Sequence, residues 1–308
     1  MTVFSWMFLS LVFLGPVVSL SSSSWFLVWG GMELSLIGLL PLMSNDKSNI
    51  MTESAFKYFL VQALASLIVL ISGINIFMFN SNSMMILGFF LIGLTLKLGI
   101  FPLHFWVIPV LKTSGYNLMM LLLGPMKIVP LSLLMKFFQV FNISNFSVLW
   151  FAVFSALIGA IIGNNVSSIR AVLGASSISH SGWFMVGAWS GGMWSYFFIY
   201  LISLFLMLWY LEESFSKVTA LLILALSGLP PFLLFFGKVN ILLSFLTVNA
   251  SLLFLVILII SAVLSLNFYL KFSYIFYLKE KKLGFTGRWN WLFFLSAWLV
   301  GAFLVLLF

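Results

Sequence analysis

Apolar runs of about 20 residues, the length an α-helix needs to cross a hydrocarbon core, follow one another along almost the whole chain. They fall near residues 3–20, 25–43, 57–79, 84–106, 116–138, 146–163, 170–189, 192–211, 218–245, 250–277 and 291–308. The connections are too short for a soluble domain or a long linker. The pattern therefore predicts one all-α membrane domain over residues 1–308, polytopic, with about eleven transmembrane helices. Charged residues make up 6% of the chain, against roughly 25% in a soluble domain, so a water-facing surface cannot be covered. The first run has no cationic flank and is long enough to span, so it reads as a mature helix and not a cleaved leader.

Charge in the connections alternates. Those after runs 1, 3, 5, 7 and 9 carry none, while the other five hold Asp46, Lys47, Glu53, Lys112, Glu212, Glu213, Lys217, Lys279, Glu280, Lys281, Lys282 and Arg288. With Lys57, Arg170 and Lys271 at adjoining helix ends, ten of the fourteen basic residues lie on one side. The positive-inside rule makes that side cytoplasm or matrix, with the N-terminus on it and the C-terminus opposite. Lys136 sits at the other end of its helix, where a long stem can snorkel. The net charge of +8 is accordingly a matter of orientation and does not call for nucleic acid. There is no cysteine, which excludes disulfides, thiolate-held iron–sulfur clusters and Cys-based zinc sites.

Two runs carry helix breakers. The fourth contains Gly99 and Pro102, and the ninth contains Ser227-Gly-Leu-Pro-Pro231. Proline removes a backbone donor and clashes with the preceding turn. Broken helices survive in a membrane only where they are packed in protein or line a wet cavity. Taking helices 1–5 (about 1–140) and 6–10 (146–278) as repeats puts both breaks in the fourth helix. The odd helix number makes the second repeat inverted, with 291–308 as an extra C-terminal helix. Interrupted helices at matching places in inverted halves point to an ion or substrate path.

Ionisable groups at bilayer depth follow the same path. Glu33 lies roughly 12 Å into its run, Lys97 about 20 Å and Lys127 about 16 Å, at a rise of 1.5 Å per residue. Lys238 follows the Pro-Pro break, nearer the uncharged side, and His104 and His180 complete the set. Each lysine at a helix centre costs roughly 2.5–3.5 kcal/mol. A structural ion pair of Glu33 with one lysine is the simplest account, but one carboxylate cannot neutralise three ammonium groups. Burial disfavours the charged form of an amine, so a row of such groups with His104 and His180 can also exchange protons near neutral pH. Two facing histidines would alternatively hold a haem, and His104 would serve as a packing or capping residue beside the break. No phosphate-binding glycine loop or Ser/His/Asp set is present. The glycines of 159–163 and 187–192 read as helix-packing residues. The 36 phenylalanines and 12 tryptophans read as lipid-facing and interfacial.

Six segments carry a family resemblance. They are Trp29-Gly-Gly-Met-Glu-Leu34, Lys57-Tyr-Phe-Leu-Val-Gln-Ala-Leu-Ala-Ser66, Leu96-Lys-Leu-Gly-Ile-Phe-Pro-Leu-His-Phe-Trp106, Met126-Lys-Ile-Val-Pro-Leu-Ser132, Ser176-Ser-Ile-Ser-His-Ser-Gly-Trp183, and Gly228-Leu-Pro-Pro231 followed by Lys238. In this order, over essentially the whole length, the chain resembles the subunit 2 family of mitochondrial NADH–ubiquinone oxidoreductase (respiratory complex I), a branch of the antiporter-like membrane subunits.

The resemblance implies a proton-translocating membrane-arm subunit driven by quinone reduction elsewhere. Glu33 matches the family's acidic residue and Lys97 its partner lysine on the first broken helix. Lys127 matches the central lysine, Lys238 the lysine of the second broken helix, and His180 the histidine of a Ser-Ser-x-x-His-x-Gly pattern. NADH, flavin (FMN), iron–sulfur clusters and ubiquinone would be handled by other subunits, with no cofactor or metal in this chain. Partners would be other membrane-arm subunits and lipid in a hetero-oligomer. The expected site is the mitochondrial inner membrane, with the N-terminus in the matrix and the C-terminus in the intermembrane space. Departures from the pattern fall around the breaks: Ile108 and Pro109 shift a proline by one, Ala175 replaces a tyrosine, Leu234 a glycine and Gly237 a proline. Every charged position is filled. A free-standing cation/proton antiporter and a non-pumping structural spacer are the alternatives from other classes.

Overall fold

A computed structural model describes residues 3–44, 49–81, 83–141, 146–213, 216–230, 232–248 and 251–279. The expected last span, 291–308, and the charges from Glu280 to Arg288, together with Asp46 and Lys47, lie outside them. The described residues form thirteen helices and no strand. The first three are α1 Val3–Ser21, α2 Trp25–Ser44 and α3 Asn49–Phe77. The fourth run is broken into α4 Met84–Leu98 and α5 Val107–Thr113, and the fifth into α6 Tyr116–Leu123 and α7 Pro125–Phe141. Then come α8 Phe146–Asn165, α9 Ile169–Ser190 and α10 Met193–Glu212. The ninth run is broken into α11 Ser216–Ser227 and α12 Leu233–Thr247, and α13 Leu252–Lys279 follows. Seven spans among the described residues are long and apolar enough to cross a membrane, so the chain is a membrane protein.

Both expected breaks are present, and each has a local cause. Gly99 ends α4 in the left-handed region (φ 69°), where a side chain would clash with the following carbonyl. Its N–H turns back to Leu96 O while Ile100 N–H reaches Thr95 O, a Schellman-type stop. Gly228 also takes the left-handed conformation, at φ 74°, after α11, and its N–H turns back to Ala225 O. Pro109 falls in the first turn of α5, where a missing N–H has no helical partner to lose, so the shifted proline leaves that helix intact. A third break, at Gly124, is not anticipated from the sequence, although a Gly-Pro pair marks it. There Pro125 opens α7, a position proline favours.

At the centre stands α9, buried at every position from Ala171 to Ala188 and packed by α5, α7, α8, α10, α12 and α13. Small residues allow this. A Cβ on Gly159 of α8 would lie 2.5 Å from Ser179 N, so these two helices meet backbone to backbone. Gly159 therefore packs as expected. Gly191 and Gly192 do something else: at φ 106° and 80° they make the tight turn between α9 and α10. The aromatic residues also divide. Phe4, Phe79 and Phe105 face outward, whereas Phe184, Phe197, Tyr196, Tyr200 and Trp183 are core.

Candidate functional site

Breaking α4 inside the membrane frees the last four carbonyls of that helix, and buried carbonyls need donors. Thr95 O receives Ile100 N–H, and Leu96 O receives both Gly99 N–H and the Trp106 indole at 3.0 Å. Lys97 O receives the Gln62 amide at 3.4 Å, and Leu98 O lies 3.3 Å from the Ser181 hydroxyl. The break is thus sewn to α3 and α9 by side chains, and it holds Lys97 in a fixed place.

The Lys97 ammonium lies 3.9 Å from Glu33 Oε1 on α2. A charge-assisted hydrogen bond is about 2.7–2.9 Å long, so this is an ion pair without a shared hydrogen bond. Glu33 Oε1 is buried and has no hydrogen-bond partner. Tyr58, Gln62 and Ser66 form a buried polar stripe on α3 at spacing i, i+4, i+8, the one face such spacing selects.

Two small cavities flank Lys97. One, of about 20 Å³, is lined by Lys97 and Lys127 together, with Tyr58, Gln62 and Ser177 as its other polar walls. The other, of about 10 Å³, touches Lys97, Gln62 and Ser35. A water molecule needs roughly 10–15 Å³ and two to four polar partners, so the first cavity meets both requirements.

Lys127 lies in the first turn of α7, just past Gly124. Its Nζ donates to Ser181 Oγ at 2.9 Å and to Ser177 O at 3.4 Å. Next along α9, His180 is held through both ring nitrogens: Nδ1 is 2.6 Å from the Tyr196 hydroxyl and Nε2 is 3.3 Å from that of Tyr269. Lys127 is tied to α9 at Ser177 and at Ser181, the residue next to His180. Lys238 reaches back from α12 to donate to Ser227 O, the last carbonyl of α11, at 2.8 Å. Its Nζ also stands over the Trp183 ring, 5.7 Å from the centroid. An ammonium at the carbonyl end of a helix is electrostatically favoured, and Lys97 and Lys238 each meet such an end.

The structure therefore brings Lys97, Lys127, His180 and Lys238 into one buried series, with the partly exposed Glu33 at its start. His104 stands outside it. It is buried on the break loop, its ring stacked on Phe105 at 4.5 Å and near Phe101 at 5.9 Å, and it lines neither cavity. The residues that hold the series were not picked out from the sequence: Gln62, Ser177, Ser181, Tyr196, Tyr269 and Ser227. Gln62, Ser177 and Ser181 do fall in the quoted family segments and Ser227 in the breaker motif, and a polar residue recurring at helical spacing inside an apolar run, as in Tyr58 and Gln62 or Ser177 and Ser181, is a further signal.

Known proteins resemble the chain over most of its length. The family model described as NADH:quinone oxidoreductase/Mrp antiporter, transmembrane, matches residues 22–211. "NADH-ubiquinone oxidoreductase chain 2" of Albinaria caerulea is 39% identical, covering 88% of this chain and 89% of that protein. The protein of the same name from Anopheles gambiae is 36% identical, covering 89% and 86%. Among solved structures, a chain of respiratory complex I from Thermus thermophilus superposes with a TM-score of 0.77 at 20% identity. That match covers 88% of this chain and 70% of the other.

Proposed function

Since the chain belongs to the NADH-ubiquinone oxidoreductase chain 2 family, within the NADH:quinone oxidoreductase/Mrp antiporter group, we propose that it is a proton-translocating membrane-arm subunit of complex I that carries protons along the row Glu33, Lys97, Lys127, His180 and Lys238. One observation carries the assignment of the row. Lys97 and Lys127, from two different broken helices, open into the same water-sized polar cavity.

A structural spacer would be expected to tie its buried charges into close pairs. Here the carboxylate and ammonium stand 3.9 Å apart, and Lys127 and Lys238 are solvated by hydroxyl and carbonyl oxygens. Such partners accept from an ammonium without neutralising it, so the proton stays exchangeable. The Glu33 carboxylate favours the charged form of Lys97 when near and releases it when withdrawn. A charge change beside Glu33 then moves a proton from Lys97 into the shared cavity and on to Lys127. His180, with one ring nitrogen to donate and one to accept, connects Lys127 to the Lys238 side. His104 serves the break as a packed residue.

In this reading the broken fourth and ninth runs occupy matching places in two inverted five-helix halves, while the break in the fifth run has no described counterpart in the tenth. The chain sits in the mitochondrial inner membrane with its charged connections in the matrix. NADH, flavin, iron–sulfur and quinone chemistry belong to other subunits in this reading, and for the iron–sulfur clusters the chain offers no cysteine ligand. The test is NADH-driven proton uptake by reconstituted complex carrying Lys97→Met or Lys127→Met, with assembly confirmed by native migration. Loss of uptake is expected; normal uptake in both variants returns the chain to a spacer. Migration outside any large NADH-oxidising complex identifies a free-standing antiporter.

A further inference from the structure

Ser181 joins the Lys97 and Lys127 breaks through a single hydrogen atom. Its Oγ has three neighbours: Ser177 O at 2.7 Å, Lys127 Nζ at 2.9 Å and Leu98 O at 3.3 Å. A hydroxyl has one hydrogen to donate, so it cannot serve both carbonyls fully. Leu98 O is a freed carbonyl of broken α4, one residue after Lys97. Ser181 is fully buried, so bulk solvent does not reach its hydroxyl.

We propose that Ser181 is a positioning residue that couples the protonation of Lys127 to the open end of the Lys97 helix. An ammonium at Lys127 has only hydrogens to offer. It donates to Ser181 Oγ and to Ser177 O, competing for the latter, and the hydroxyl hydrogen turns to Leu98 O. Once Lys127 has passed its proton onward, its nitrogen carries a lone pair. The hydroxyl hydrogen then turns to that nitrogen or to Ser177 O, and Leu98 O loses its donor. The broken end of α4 is thereby held in one state of Lys127 and released in the other. Because the Glu33–Lys97 pair already stands at 3.9 Å, a small movement of this helix end is enough to decide whether the pair is made. The proposal rests on Lys97 and Lys127 being proton carriers.

The test uses the assembled complex in vesicles, reading NADH-driven proton uptake beside electron transfer to a soluble artificial acceptor. Ser181→Ala should lower uptake roughly tenfold, as removal of a hydrogen bond to a charged group does, with acceptor reduction unchanged. Ser181→Thr, which keeps the hydroxyl, should restore it. Ser132→Ala, which removes a buried hydroxyl bonded only to Val129 O of its own helix, should pump normally. If Ser181→Ala does not assemble, Ser181→Cys, of similar volume and a weak donor, is read in its place. Normal uptake in Ser181→Ala, or equal loss in Ser181→Ala and Ser181→Thr, overturns the proposal. If Lys127→Met is also unimpaired, it is the relay itself that fails.

Discussion

Glu33 and Lys97 face each other at 3.9 Å, Oε1 to Nζ, without sharing a hydrogen bond. A pair built for stability would close to hydrogen-bond length, since the attraction must offset the cost of removing both charges from water. At this separation the pair is easily made and easily lost, which suits a control point.

Glu33→Gln removes the charge and keeps the shape. It should lower NADH-driven proton uptake while the complex still assembles. The loss of stability should not exceed about 3 kcal/mol, the low end for breaking a buried pair, because the Glu33 side chain keeps 21% of its exposure. Glu33→Asp, with its carboxylate withdrawn by one methylene, should fall between the two. Proton uptake at fixed NADH concentration measures this, and a Glu33→Gln enzyme with unaltered uptake contradicts it.

Gln62 is the polar side chain besides Lys97 that borders both cavities. Gln62→Leu takes the donor from Lys97 O and replaces polar wall with apolar, so uptake should fall even with both lysines present. Leaving the carbonyl unsatisfied should cost roughly 1–3 kcal/mol, seen as earlier thermal loss of the assembled complex. Gln62→Glu, which can still fill the space, should assemble but change the local charge. If Gln62→Leu pumps at the normal rate, the cavity is not on the path.

Much of this architecture was legible in the sequence because lipid imposes a simple code. Apolar runs gave the helices, and Gly99 and Gly228 gave the stops at Leu98 and Ser227. Charges inside runs then gave the candidate residues. The break at Gly124 was not legible, although Gly124-Pro125 is a breaker pair, because the run stays apolar on both sides and reads as one continuous span. Nor was the central place of α9: its serines lower its apolarity, yet Ser177 and Ser181 are what holds Lys127. The residues that hold His180 were hidden for a different reason. Tyr196 and Tyr269 sit in strongly apolar helices among many aromatic residues, and only the packing separates a buried phenol from a lipid-facing one.

Gly237, where the family pattern has a proline, is explained by its neighbour. A Cβ there would lie 2.7 Å from Cδ2 of Tyr196, whose ring is fully buried and packed on Phe184. Gly237→Ala should therefore cost about 1–3 kcal/mol, as overpacking a filled core does, and push Tyr196 off His180. Adding Tyr196→Leu should relieve the crowding and recover assembly, but without recovering proton uptake. Thermal stability and uptake, read on both variants, separate the packing effect from the hydrogen bond.

The two phenols on His180 are unequal, and the difference gives a direct test of its role. Tyr196 lies 2.6 Å from Nδ1, and Tyr269 lies 3.3 Å from Nε2. A neutral imidazole has one nitrogen that donates and one that accepts, so the shorter contact fixes the tautomer and the longer one follows. Tyr196→Phe keeps the ring that packs on Phe184 and Gly237 and deletes only the hydroxyl. Tyr196→Phe and Tyr269→Phe each leave one buried ring nitrogen unpartnered, at roughly 1–3 kcal/mol, and the shorter contact to Tyr196 is the larger loss of the two. Proton uptake should fall more in Tyr196→Phe than in Tyr269→Phe. If His180 only packs, the order of the two should follow ring volume instead, and since both variants keep their rings, neither should lose uptake.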